Sequence, residues 1–186
     1  MILTPVSLKV ARLATLESGE LFLFAHHSST GDTSCVGLVA DYRDADPQKL
    51  FLLLGPQFPG HITGPHLITS IPATTVSFGK DFAIRLPVDP DSWTETEPSH
   101  DCNCLLMTDG GVYFRANGNP IPGQGFTSCF VNADGGIVEV IPSFPPGRYA
   151  RPPGTPAYAV KWEIVTTEPE PRTILKYPYP VSGDAA

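Results

Sequence analysis

Two Asp-Gly-Gly tripeptides, each followed by β-branched or aromatic residues, constrain the fold of this 186-residue chain more than any other feature. The first spans residues 109–111 and precedes Val112-Tyr113-Phe114; the second spans 134–136 and precedes Ile137-Val138. Asp-Gly tolerates the positive φ angles of a tight β-turn, and the residues that follow suit a pleated, half-buried surface. Each tripeptide therefore predicts a β-hairpin. Glu17-Ser18-Gly19 is a weaker signal of the same kind and predicts that the strands on either side of it, 7–13 and 20–25, pair with each other.

Short apolar runs bounded by proline and glycine continue along the chain and predict further strands. The run at 158–165 alternates most regularly, and its face of Tyr158, Val160, Trp162 and Ile164 is predicted to be buried. We expect the last run, 173–177, to be an edge strand. The remaining predicted strands are 35–42, 49–54, 66–71, 75–78, 82–86, 103–108, 112–116, 126–132 and 137–141.

These patterns favour an all-β, antiparallel fold with minor helix, either a sandwich or two small β-barrel-like lobes. The 21 prolines and 17 glycines supply many tight connections and argue against long helices. We predict an N-terminal β lobe at 1–87, an acidic loop or lobe boundary at 88–101 and a C-terminal β lobe at 102–177, followed by a flexible tail at 178–186. The alternative is a single β domain of all 186 residues.

Two similar four-residue segments raise the question of internal duplication. Thr33-Ser34-Cys35-Val36 resembles Thr127-Ser128-Cys129-Phe130, and both lie in predicted strands. The residues around the two copies do not align, so a chance match is the alternative to two related lobes.

Charge and hydropathy narrow the classes of partner and compartment. The net charge is −7, and no cluster of Lys or Arg occurs in the sequence, so we do not expect nucleic acid as a partner. Between Arg85 and Arg115 there is no Lys or Arg but there are six acidic residues, which suits a solvated loop or, alternatively, contact with a basic partner or a cation. We expect no membrane span, because no apolar run is long enough, and a cytoplasmic location, because no export signal precedes the four cysteines.

One cluster of side chains has metal-binding chemistry. His100, Cys102 and Cys104 would lie on one face of a strand and could supply three ligands to zinc, with a distant histidine or cysteine as the fourth. Structural zinc sites usually have a second Cys-x-x-Cys-like pair, and the sequence has none. The alternative is that Cys104 faces the core and His100 caps a loop.

The segment 142–156 is proline-rich and predicts an interaction surface. Proline pre-sets an extended backbone, while Phe144, Tyr149, Arg148 and Arg151 offer aromatic and cationic anchors to a partner. The alternative is a structural connection that wraps across the sheet with its aromatic residues against the core.

Taken together, the sequence favours a non-enzymatic binding module that recognises a protein partner through loops and this proline-rich segment. We assign it no catalytic residue and no cofactor. One alternative is a metal-dependent, hydrolase-type enzyme with zinc at His100, Cys102 and Cys104. A second is a structural subunit of a larger assembly, which would self-associate or join other chains through exposed strand edges.

Overall fold

The chain is built almost entirely of β-strands, as the sequence predicts. The computed structural model describes residues 9–28, 31–42, 49–58, 60–64, 74–87, 89, 93–95, 105–119, 127–132, 137–140 and 158–178. Within these ranges the helical content is one 3₁₀ turn, Leu13–Thr15, and no helix is long and apolar enough to cross a membrane. The strands are β1 (Lys9–Arg12), β2 (Leu21–Ser28), β3 (Gly31–Tyr42), β4 (Lys49–Leu54), β5 (His61–Thr63), β6 (Thr74–Gly79), β7 (Phe82–Arg85), β8 (Thr94–Glu95), β9 (Leu105–Thr108), β10 (Gly111–Asn119), β11 (Thr127–Asn132), β12 (Ile137–Val140), β13 (Tyr158–Val160), β14 (Trp162–Thr166) and β15 (Thr173–Tyr177).

Six of these strands close into a ring. Antiparallel pairing joins β3 to β4, β4 to β5, β10 to β11 and β11 to β12. Two parallel contacts complete the circle, β5 with β10 and β12 with β3. Strands from both sides of the predicted boundary at 88–101 therefore share one closed sheet, and the division into lobes stays a prediction.

The ring has an internal repeat in its topology. Strands β2 to β5 form one run of consecutive antiparallel neighbours and strands β9 to β12 form another. We call each of these four-stranded runs a unit. The last strand of the first unit, β5, lies parallel to the second strand of the second unit, β10, and the last strand of the second unit, β12, lies parallel to β3. The two similar segments, residues 33–36 and 127–130, lie on β3 and β11. These strands do not occupy equivalent positions in the two units, so the sequence similarity does not correspond to the topological repeat.

The inside of the ring is filled by apolar side chains. Leu38, Leu52, Ile62, Ala116 and Cys129, which come from five different strands, are at most 2 % exposed and belong to one cluster. Residues paired across neighbouring strands share a face, so this cluster is what the strands enclose. Each large side chain buried in this way contributes roughly 1.5–3 kcal/mol relative to exposure, and the ring is a packed core rather than a channel.

The first two strands are arranged differently from the prediction that they pair with each other. Strand β6 lies between β1 and β2 and pairs with both. The chain leaves β1 at the 3₁₀ turn, where the Thr15 hydroxyl donates to the carbonyl of Arg12 over 2.8 Å. Leu13 and Leu16 then pack with Phe22 on the outer side of the ring, which turns the chain away from a direct hairpin.

The second sheet has three strands in the order β15, β14, β7. It arises because the predicted strand 158–165 is divided at Lys161: the first part pairs with β9 in the large sheet and the second with β7 and β15. Val160, Trp162 and Ile164 are buried, which confirms these members of the predicted core face. The edge position predicted for 173–177 is also confirmed within the described part of the sheet.

Candidate binding site

The site residues predicted from the sequence lie outside the described residues and stay predictions. Among the described residues no group of three or more His, Cys, Asp or Glu side chains could hold a metal ion. Two of the more distant ligands considered, Cys35 and Cys129, are buried in different apolar clusters. The predicted site residues that lie outside the described ranges are, for zinc, His100, Cys102 and Cys104 and, for partner binding, Phe144, Arg148, Tyr149 and Arg151.

A groove at one end of the three-stranded sheet is a candidate binding feature of the described structure. It lies where β7 and β15 end and β14 begins, and its volume is about 530 Å³. Three residues from each strand end line it: 85–87, 161–163 and 176–178. We refer to it below as the basic groove.

The charges of the basic groove follow from the register of its strands. Glu163 on the central strand pairs with Arg85 on one side and Lys176 on the other, so these three side chains share one face of the sheet. Lys161 precedes the central strand and also lines the groove. Three cations and one carboxylate give a formal charge of +2 on a chain whose net charge is −7.

Aromatic rings pack on the opposite face of the sheet from these charges and hold the strand ends in place. Trp162 and Tyr177 are stacked, with ring centroids 5.9 Å apart and planes at 12°. Trp162 also meets Phe114 of the ring edge-on at 5.3 Å and is 1 % exposed, so packing against the main core holds its position. Nearby, the indole nitrogen of Trp93 donates to the carbonyl of Pro87 over 3.4 Å and fixes the end of the segment that follows β7.

The charged groups of this lining determine which ligands it favours. Its described residues include no histidine, cysteine or serine, and Glu163 is their one carboxylate. Three cations around one carboxylate favour a ligand that carries negative charge.

Sequence reasoning missed this groove because its cations are distant in the sequence. Arg85, Lys161 and Lys176 are isolated from other basic residues, and only the strand order of the second sheet brings them together. The one usable signal was the alternation of Lys161, Trp162, Glu163 and Ile164, which places charges on one face and apolar side chains on the other.

His61, a histidine outside the predicted site, lies in β5. It pairs with Leu53 and Asn117 of the two neighbouring strands, and its ring centroid lies 6.4 Å from that of Phe58. Burial lowers the pKa of His61 from its usual 6.5, because desolvation disfavours the charged imidazolium. His61 does not line the basic groove, so its titration concerns the ring rather than the candidate site.

Comparison of the chain with protein families, with curated protein sequences and with solved structures finds no match.

Proposed function

We propose that this chain is a non-enzymatic binding module that recognises a protein partner at the basic groove. The observation that carries the proposal is the formal charge of +2 at the basic groove on a chain of net charge −7. The class of function is the one that the sequence favours. The proline-rich segment 142–156 is kept as a second predicted contact.

Three physical arguments support recognition at this place. The volume of about 530 Å³ lies within the range of well-formed ligand sites, which combine an apolar lining with a few polar groups. Arginine and tyrosine, present in the groove as Arg85 and Tyr177, are enriched at the energetic centres of protein interfaces. A local positive charge on an acidic chain also steers an oppositely charged partner toward this end of the sheet and repels it from other surfaces.

The proposal includes the cytoplasmic location expected from the sequence. Cys35 and Cys129 are buried in two different apolar clusters, and buried cysteines of this kind are chemically inert.

Selection from a displayed random-peptide library tests the proposal. The library is selected in parallel on the wild-type chain, on K161E/K176E and on K9E/R12E. The first variant reverses two exposed charges of the groove, and the second reverses two exposed charges on β1, so both change the net charge equally. We expect peptides that bind the wild type and K9E/R12E but bind K161E/K176E at least about tenfold more weakly, because a reversed charge pair costs about 1.4 kcal/mol or more in such an interface. A library that yields no peptide, or peptides indifferent to the groove charges, contradicts the proposal.

A further inference from the structure

The three-stranded sheet carries an acidic loop at the end opposite the basic groove. Residues 167–172 connect β14 to β15 and read Thr-Glu-Pro-Glu-Pro-Arg. Glu170 is exposed and Glu168 is half-buried, and Arg172 is the one cation of the loop. The Thr167 amide donates to the carbonyl of Asp81 over 3.4 Å, which places a third, exposed carboxylate at the same end of the sheet. From here on, the acidic loop means residues 167–172, which are distinct from the acidic stretch predicted at 88–101.

The acidic loop is held at its base and stiffened along its length. The Thr166 amide donates to the carbonyl of Arg172, and the Arg172 amide donates to the Thr166 hydroxyl, each over 3.0 Å. Pro169 and Pro171 fix their own φ angles. A loop restrained in this way loses little conformational entropy when it docks, so more of its interaction energy remains as affinity.

The acidic loop cannot reach the groove of its own molecule. The groove is lined at the start of β14 and the end of β15, whereas the loop joins the end of β14 to the start of β15. Five extended residues separate the two ends by roughly 17 Å. A second molecule, in contrast, can bring Glu168 and Glu170 to Arg85, Lys161 and Lys176.

We infer that the basic groove of one molecule binds the acidic loop of a second copy of this chain. The inference rests on the proposed function, because it names the partner of the same groove. The two surfaces are different and lie at opposite ends of one sheet, so the contact is head-to-tail. Such a contact repeats from molecule to molecule and produces open chains, or rings where the rotation closes.

Sedimentation velocity of paired charge-reversal variants tests this inference. The wild type is expected to associate increasingly with concentration, and to dissociate in about 1 M salt, where charges are screened beyond roughly 3 Å. K161E/K176E makes both ends acidic and E168K/E170K makes both ends basic, so each variant alone is expected to associate at least about tenfold more weakly than the wild type. An equimolar mixture restores association, because each groove then meets a loop of opposite charge. The control K9E/R12E adds negative charge near Asp81 and not in the groove, so it is expected to associate at least as strongly as the wild type.

Three results would overturn the inference: a wild type that is monomeric at every concentration, variants that associate like the wild type, or a mixture that does not recover association. Groove-dependent peptides from a chain that stays monomeric overturn the inference but leave the proposed function standing. Thermal unfolding confirms that each variant is folded. If a reversal variant unfolds, K161Q/K176Q and E168Q/E170Q replace the pair; the inference then requires that neutralising either end weakens association and that K9Q/R12Q does not.

Discussion

Gly118 on β10 lies directly against the carbonyl group of Ile62 on β5, at one of the two parallel contacts that close the ring. A Cβ atom at this position would overlap the carbonyl oxygen and lie 2.9 Å from the carbonyl carbon. The obstacle is backbone that pairs on both sides and not the end of a flexible side chain. The two units can therefore approach this closely only because residue 118 is glycine.

We predict that Gly118→Ala lowers the free energy of unfolding by about 2 kcal/mol or more, because the strands must separate to admit the methyl group. Urea denaturation followed by circular dichroism measures the change. Gly110→Ala is the matched control, since Gly110 is an exposed turn residue, and a change of about 0.5 kcal/mol or less is expected there. Equal effects of the two substitutions would show that the contact with Ile62 does not limit ring closure.

A second prediction concerns Phe22 and Gly37, which face each other across β2 and β3. A Cβ atom on Gly37 would overlap the ring of Phe22, and that ring is 0 % exposed. Gly37→Ala should cost about 1–3 kcal/mol through overpacking and Phe22→Ala about 3–5 kcal/mol through the cavity that it leaves. The double variant should lose less stability than the sum, because the added methyl group enters the vacated space.

Chemical denaturation of the two single variants and the double variant gives the coupling energy between these positions. Additive losses would mean that the ring of Phe22 and the space above Gly37 are independent, contrary to the packing described.

The third prediction concerns the dependence of stability on pH. The folded-state pKa of His61 lies below its unfolded value near 6.5, so the unfolded chain binds the proton more readily. The contribution of neutral His61 is fully present above pH 6.5 and is lost as the pH falls from that value through the lowered pKa. His61→Gln should remove this component and flatten the pH dependence in that window.

Urea titrations of the wild type and His61→Gln across mildly acidic to neutral pH provide the comparison. The carboxylates and the other histidines titrate in both proteins, so the difference between the two curves isolates His61. Parallel curves would show that His61 does not contribute to the pH dependence of stability.

The fourth prediction concerns the base of the acidic loop. Thr166 is 3 % exposed, and Thr166→Val keeps its shape but removes the oxygen that accepts from the Arg172 amide. We expect a loss of about 1 kcal/mol in the free energy of unfolding, and weaker self-association because the loop is less restrained. Thr167→Val, at an exposed neighbour, is the control and should change neither quantity appreciably. A loss in Thr167→Val equal to that in Thr166→Val would remove the special role of this hydrogen bond.

Local turn chemistry was sufficient to predict the β-class of the fold and several strands. The Asp109-Gly110-Gly111 signal coincides with the turn between β9 and β10, and β4 and β15 have the predicted limits. These features depend on residues close together in the sequence, where turn preference and alternation act directly.

Closure of the ring was not predictable in the same way. The pairing of His61–Thr63 with residues 117–119 is parallel and joins segments that are distant along the chain, so no turn fixes its register. Three residues are also too few to show an alternating pattern, and 61–63 therefore read as loop. The basic groove depends on the same kind of long-range arrangement, which is why three isolated cations gave no signal.

The parallel pairing between the two units has a consequence for synthesis of the protein. Because the first unit contacts β12 through β3, and β12 ends at Val140, the ring cannot be completed until that residue has left the ribosome. The nascent N-terminal unit must wait with the edges of β3 and β5 open, and such long-range pairing is intrinsically slow. Because the two units pair at both parallel contacts, a single backbone cut between them would leave two fragments that remain associated without a covalent link.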